Sequence, residues 1–236
     1  MNPIPDDWLF PPSLEVASRV QRELAARVVA EDDFGPLRVI GGTDISCRPR
    51  DPTAFVHAAI VALGAEELAV REVAGASMLP PFPYVSGFLG FREAPSLVAA
   101  FADFERPPDL LFVDGQGLSH PRGFGIACQL GVILDVPAIG VAKSVLIGSP
   151  SGPLGSQPGD RVPMVWKGKV VGMALRTKAR SNPLYISVGH RISLDTAVEQ
   201  VLRATRGYRL PEPTRQAHLA ANELRRRAEI SSDTAD

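Results

Sequence analysis

The 236-residue chain predicts an α/β fold: a mixed central sheet that begins as an antiparallel three-strand meander, continues with parallel strands and is flanked by helices. Three observations predict it. Apolar runs at residues 37–47, 54–63 and 68–73 are joined by connections too short for crossover helices, so they pair antiparallel. From residue 95 onward helical and strand-like stretches alternate, which implies right-handed crossovers and parallel pairing. Finally, 45% hydrophobic content over this length suffices for one well-cored domain across residues 1–236. The extreme N-terminus and a tail from about residue 229 are expected to be flexible.

Residues 14–29 read as an amphipathic helix, because Val16, Val20, Leu24 and Val28 recur at steps of four and Ser13 is placed to cap it. Residues 54–61 are apolar on both faces, as a central strand would be. A helix near residues 95–103 leads to a strand at 110–114, and a second helix at 125–134 leads to a strand at 137–142. Strands at 170–176 and 184–188 precede a helix over 194–205, and a last helix spans about 214–228. Residues 149–160, rich in Ser, Gly and Pro, read as a surface loop. A meander with an acid on its first strand and another at the end of the fourth matches a ribonuclease-H-like layout. A dinucleotide-binding domain would instead open with a parallel unit and G-x-G-x-x-G, but Gly115-Gln116-Gly117 has His120 where the third glycine is needed.

Charge is unevenly spread. Residues 1–160 hold 11 Lys and Arg against 19 Asp and Glu, whereas residues 161–227 hold 14 against 4. Such asymmetry suits a phosphate-facing surface and equally a solvated basic helix beside an acidic partner. Cys47 and Cys128 lack metal-ligand spacing, so neither a disulfide framework nor a zinc site is expected. The acidic, proline-broken start resembles no signal peptide, no apolar run reaches membrane-spanning length, and a cytoplasmic location is expected.

Three carboxylates carry the chemistry. Asp44 and Asp114 follow apolar strands, and Glu93 ends Gly87-Phe88-Leu89-Gly90-Phe91-Arg92-Glu93. An ionised acid at the end of a buried strand needs a counter-ion, several donors or a divalent cation. Three of them imply one hard-cation site and phosphate chemistry. Pro80, Pro81 and Pro83 make a stiff, extended segment that presents Tyr84 either as a wedge between base steps or as a side chain packed under the loop. Lys143 ends the strand at 137–142, suited to a phosphate or to one of the acids. His120-Pro121-Arg122 precedes a helix start and would hold a phosphate or cap the loop. Arg176, Lys178 and Arg180 alternate, which in an extended segment puts all three on one face for backbone contacts. His218 lies alone on the last helix.

Taken together, these segments resemble the endonuclease V family of deoxyinosine-directed DNA repair nucleases. The resemblance runs from about Gly41 to His218. It is carried by Pro83-Tyr84-Val85-Ser86-Gly87-Phe88-Leu89-Gly90-Phe91-Arg92-Glu93, Phe112-Val113-Asp114-Gly115, Ser119-His120-Pro121-Arg122, Gly140-Val141-Ala142-Lys143 and Gly207-Tyr208-Arg209-Leu210-Pro211-Glu212-Pro213-Thr214-Arg215. It implies Asp44 and Asp114 as metal-binding aspartates, Glu93 as the third acid, Tyr84 as the wedge, and Lys143 and His218 as further active-site residues. Pro83, Tyr84 and Gly87, with His120, Arg122, Arg176, Lys178 and Arg180, are the expected nucleic-acid contacts. Ser86 stands where the family's wedge usually has proline, and Gln116 where it commonly has histidine.

The resemblance further implies Mg²⁺, with Mn²⁺ as a substitute, acting on DNA that contains deoxyinosine or other deaminated bases. Cleavage is implied at the second phosphodiester on the 3′ side, leaving 3′-hydroxyl and 5′-phosphate ends. The rival readings are a related nuclease for inosine-containing RNA or branched DNA, and a non-catalytic module that kept the fold. No obligate protein partner and no membrane are implied.

Overall fold

The computed structural model describes residues 4–48, 51 and 54–233, with the side chains of residues 232 and 233 excepted. The outermost parts of the termini expected to be flexible, residues 1–3 and 234–236, lie outside the described residues, as does most of the 48–53 connection.

Among the described residues, nine strands form one sheet in the order β3-β2-β1-β4-β5-β9-β8-β7-β6. The predicted meander is present as β1 (Val39–Cys47), β2 (Val56–Gly64) and β3 (Val70–Met78), all antiparallel. β4 (Leu110–Val113) lies parallel to β1, and β5 (Ala138–Ala142) parallel to β4. β9 (Leu184–His190) then runs antiparallel to β5, followed outward by β8 (Lys169–Leu175), β7 (Arg161–Trp166) and β6 (Ser149–Pro150). This mixed sheet with flanking helices is the ribonuclease-H-like fold.

Helices cover both faces, and strand alternation decides which side chain meets which helix. Leu110 and Phe112 join the core under α4 (Leu194–Arg203) and α5 (Glu212–Asp233), with Val198 and Ala217. Leu111 and Val113 face α2 (Leu89–Ala102) and α3 (Ile126–Leu134), with Leu97 and Ala127. α1 (Leu14–Ala25) closes a third cluster around Phe82, Phe91 and Phe124, and Ser13 caps it by accepting from the Val16 N–H as predicted.

The structure corrects several predicted elements. β7 was hidden by Pro163, which breaks strand propensity, and by the unrecognised Lys167-Gly168 turn. Both turn residues have positive φ, 50° and 76°, as a two-residue hairpin requires. β6 pairs only at Ser149 and Pro150, inside the segment read as loop. β3 runs on to Met78 through Ala74-Gly75-Ala76, small residues that let α5 approach: a Cβ on Gly75 would lie 3.1 Å from Leu224.

The fourth correction moves a site residue. α2 begins at Leu89 and contains Pro95 in its interior, so Glu93 sits on a helix and not at a strand end. The lost hydrogen bond costs about 3 kcal/mol, and burial of Phe91, Ala94 and Leu97 along the same helix offsets it. Asp44 lies within β1, which continues to Cys47 as the apolar run at 37–47 and the acid on the first strand predicted. At the other end of the chain α5 extends to Asp233, past the predicted limit at 228. Among the described residues no helix is long and apolar enough to cross a membrane.

Candidate active site

The parallel pairing of β1 with β4 builds the site. Thr43 stands opposite Val113, so the next residues, Asp44 and Asp114, emerge side by side, and the Asp114 N–H donates to the Thr43 carbonyl at 3.3 Å. Asp44 is only 8% exposed. Glu93, half-buried on α2, is close enough to both aspartates to feel their charges. The structure therefore brings the three predicted acids together.

Their proximity is electrostatically costly. Burial first, then the charges of Asp44 and Asp114, push the Glu93 carboxyl up to about 8, with Arg92 opposing. Burial and Asp44 push Asp114 up to about 7, against the pull of Lys143. Two side chains answer this charge. Lys143, just past β5, donates to Asp114 Oδ2, and His218 on α5 meets Asp44 Oδ2 through Nδ1 at 2.6 Å. No three His, Cys, Asp or Glu side chains among the described residues converge as a ready ligand set. By donor chemistry the site nonetheless fits a hard divalent cation: the groups are carboxylate oxygens, crowded and short of positive charge.

Beside the acids opens a cavity of about 390 Å³, lined by Tyr84, Gly87, Asp114, Gln116, Lys143 and Leu146 among others. Its rim explains the proline segment. Phe82 is the buried anchor, 5% exposed, with its ring 5.7 Å from Phe91 and 6.3 Å from Phe88. Tyr84, two residues on, is left 68% exposed. The stiff loop thus packs one aromatic and presents the other, which favours the wedge reading over a packed tyrosine. Gln116, the departure noted in the sequence, donates from Nε2 to the Ser144 carbonyl at 2.9 Å and ties two walls of the cavity together.

His120 and Arg122, read from the sequence as a phosphate contact or a loop cap, are turned toward the Tyr84 loop. Gly87, at φ +79°, exposes a carbonyl that accepts from Gln21 Nε2 at 2.9 Å, His120 Nε2 at 3.1 Å and an Arg122 guanidinium nitrogen at 2.5 Å. The Arg122 guanidinium also lies 4.1 Å over the Phe88 ring. The pair holds the Tyr84 loop, a contact that neither the phosphate nor the capped-loop reading contained. Gln21 was missed, because a polar residue beside the apolar stripe of α1 reads as solvent-facing; it is 2% exposed.

The clamp has a pH signature. Burial, then Arg122, lowers the His120 imidazole to about 4. The unfolded chain takes up this proton near pH 6.5 and the folded chain only near 4, so the contribution is intact above 6.5 and is lost between those values. The total is about 3 kcal/mol. H120Q, which keeps a donor but cannot titrate, should flatten the acid limb of a stability–pH curve measured by urea unfolding. An unchanged limb would sink the assignment.

Arg176, Lys178 and Arg180 do not share a face. Past β8 the chain turns, Arg180 sits at φ +58°, and Arg176 donates to the Gly155 and Ser181 carbonyls. Arg176 is thus a loop brace, while Lys178 and Arg180 remain exposed. A side chain not singled out from the sequence, Arg209, donates to the carbonyls of Lys143, Asn182 and Pro183, each at 2.9 Å, and steadies the loop that carries Lys143.

The family model for endonuclease V matches residues 22–219. Endonuclease V of Rhodospirillum centenum is 56% identical over 220 residues, covering 93% of this chain and 92% of that protein. The crystal structure of endonuclease V from Streptomyces avermitilis superposes with a TM-score of 0.87 at 38% identity, covering 96% and 98% of the two chains. Ciona intestinalis endonuclease V, in complex with a 24mer DNA containing an inosine followed by a ribo-adenosine, superposes with a TM-score of 0.75 at 26% identity, covering 89% and 97%. The chain belongs to the endonuclease V family of metal-dependent nucleases.

Proposed function

We propose that this nuclease repairs DNA by recognising deoxyinosine and hydrolysing the second phosphodiester on its 3′ side, leaving 3′-hydroxyl and 5′-phosphate ends. The observation that carries the reading is the placement of an exposed Tyr84 on a cavity that Asp114 and Lys143 also line. A wedge beside a pocket beside a row of acids couples extrusion of one nucleotide to cleavage nearby. The complex of the Ciona relative with inosine-containing DNA supports the choice of base.

In this reading Asp44 and Asp114 hold Mg²⁺, or Mn²⁺ in its place, and Glu93 completes the site or orients the attacking water. The bound ion supplies Lewis-acid stabilisation of phosphate charge and a more acidic water. Lys143 places its ammonium where negative charge develops on the phosphate. His218 keeps Asp44 in one orientation. Tyr84, with Pro83 and Gly87 fixing its loop, fills the gap left by the extruded base. His120 and Arg122 serve the DNA contact through that loop, and Lys178 and Arg180 offer charge to the phosphate backbone. The chain works as one domain in the cytoplasm without an obligate protein partner.

The test is nicking of a deoxyinosine duplex with Mg²⁺, the cut mapped on a sequencing gel, beside matched inosine-RNA, junction and undamaged duplexes. Cleavage one bond closer to the lesion, or preferential cutting of RNA or junctions, would reject the reading. Base–aromatic stacking is worth about 1–3 kcal/mol, so Y84A should weaken lesion binding by roughly ten- to a hundredfold while Y84F stays near wild type.

A further inference from the structure

Resting on the nuclease reading above, we infer that Asn222, acting with Ser46 and Arg225, fixes the proton on Nδ1 of His218 and thereby orients Asp44. Asn222 is a positioning residue for the reaction. The elements make this contact by matching their repeats. On β1, Asp44 and Ser46 are two apart and share the face that looks at α5, as does Gly42, whose Cβ would strike the Pro213 carbonyl. On α5, His218, Asn222, Arg225 and Glu229 recur at four, seven and eleven residues, one helical stripe laid along that face.

The hydrogen bonds along the stripe admit one polarity. Arg225 donates from Nε to Ser46 Oγ at 3.0 Å, and a guanidinium has no acceptor with which to reverse that bond. The single hydroxyl hydrogen of Ser46 is therefore available to Asn222 Oδ1 at 2.8 Å. That sets the amide so that Nδ2 faces His218, donating to its backbone carbonyl at 2.9 Å and to Nε2 at 3.1 Å. Nε2 must then be the unprotonated nitrogen. The ring hydrogen sits on Nδ1 and is donated to Asp44 Oδ2 at 2.6 Å.

The opposite amide orientation fails on three counts. It would face an acceptor with the His218 carbonyl, present Ser46 with a second donor, and leave the hydroxyl hydrogen unused. A donor-only group at one end and a carboxylate at the other thus dictate every proton between them. Arg225 is itself held by Glu229, at 2.9 and 3.0 Å. The consequence lies at Asp44: one oxygen is committed to His218, which aims the other at the crowded face shared with Asp114 and Glu93.

The experiment reads the protein by ¹⁵N NMR of its histidines, with His218 assigned by the signals lost in H218N, and by steady-state nicking of a deoxyinosine duplex. Wild type should show a protonated Nδ1 and an unprotonated Nε2 at His218. N222A should leave the hydrogen on Nδ1, which still faces the Asp44 carboxylate, but move the Nε2 resonance as that nitrogen loses its protein donor, and lower kcat by about ten- to a hundredfold, with KM unchanged, as loss of an outer partner of a metal ligand does. S46A should move the same resonance in the same direction, and it supplies the same readout if N222A fails to fold. A wild-type His218 protonated on Nε2, an Nε2 resonance unmoved in both variants, or an unchanged kcat would overturn the inference. If wild type does not nick deoxyinosine DNA, the proposed function fails, and the tautomer measurement still decides the role of Asn222.

Discussion

D114N should lower deoxyinosine-duplex cleavage by about a thousandfold or more while melting no lower than wild type. The side chain is nearly isosteric, so the core beneath it, Phe112 and Val113, is undisturbed. What changes is charge. Cation-assisted phosphoryl chemistry depends on several kcal/mol of stabilisation at the transition state, and about 4 kcal/mol corresponds to a thousandfold. The same charge costs stability in the folded chain, because Asp114 is held near Asp44 and Glu93 and its carboxyl is pushed up to about 7. Removing it relieves that crowding and leaves a half-exposed Lys143, which water can solvate. Wild type should gain melting temperature on addition of Mg²⁺ and the variant should gain less, since a cation that binds only the folded state stabilises by mass action. Retained cleavage in D114N, or identical Mg²⁺ shifts in the two proteins, would refute the metal assignment of Asp114.

G42A should be the second-largest lesion, although Gly42 touches no substrate in any reading of the site. A Cβ built there falls 1.9 Å from the Pro213 carbonyl oxygen and 2.0 Å from its carbon, where only backbone stands and no side chain can swing away. α5 must lift off β1 at its first turn, where Glu212 and Thr214 are buried. Overpacking of this kind costs about 1–3 kcal/mol. The larger consequence is catalytic, because α5 carries His218 onto Asp44, and a displacement of about 1 Å costs on the order of a hundredfold. Urea unfolding and nicking assays on G42A and on G35A make the comparison, since nothing lies within 4 Å of a Cβ at Gly35. Wild-type behaviour in G42A would show that α5 reaches its position by other contacts.

Which parts of this were legible beforehand follows from the range over which each signal acts. Asp44 and Asp114 were found because they follow runs of apolar residues, and the short connections made β1 to β3 a meander. Glu93 does lie beside the two aspartates, but on a helix, since a proline six residues into a helix reads locally as a helix start. By residue type alone His120 and Arg122 suit a phosphate. Their partner, one glycine carbonyl more than thirty residues away in sequence, exists only after the chain folds. Arg176, Lys178 and Arg180 alternate in sequence, but alternation means a shared face only in a strand, and the backbone turns at Lys178.

Hydrophobic periodicity, proline stiffness and motif order act within a few residues of one another, so the class of fold, the candidate acids and the stiff segment that carries Tyr84 were readable from the sequence, while the exposure of Tyr84 was not. Only the tertiary structure decided that Thr43 pairs with Val113 and so sets two aspartates abreast, and that α5 lies against Gly42. It alone decided that Arg225, Ser46 and Asn222 hand a defined hydrogen to His218. Those partners are more than 170 residues apart across the β1–α5 interface. No local propensity reports a hydrogen bond of that span, and its direction follows from the donors and acceptors that packing brings face to face.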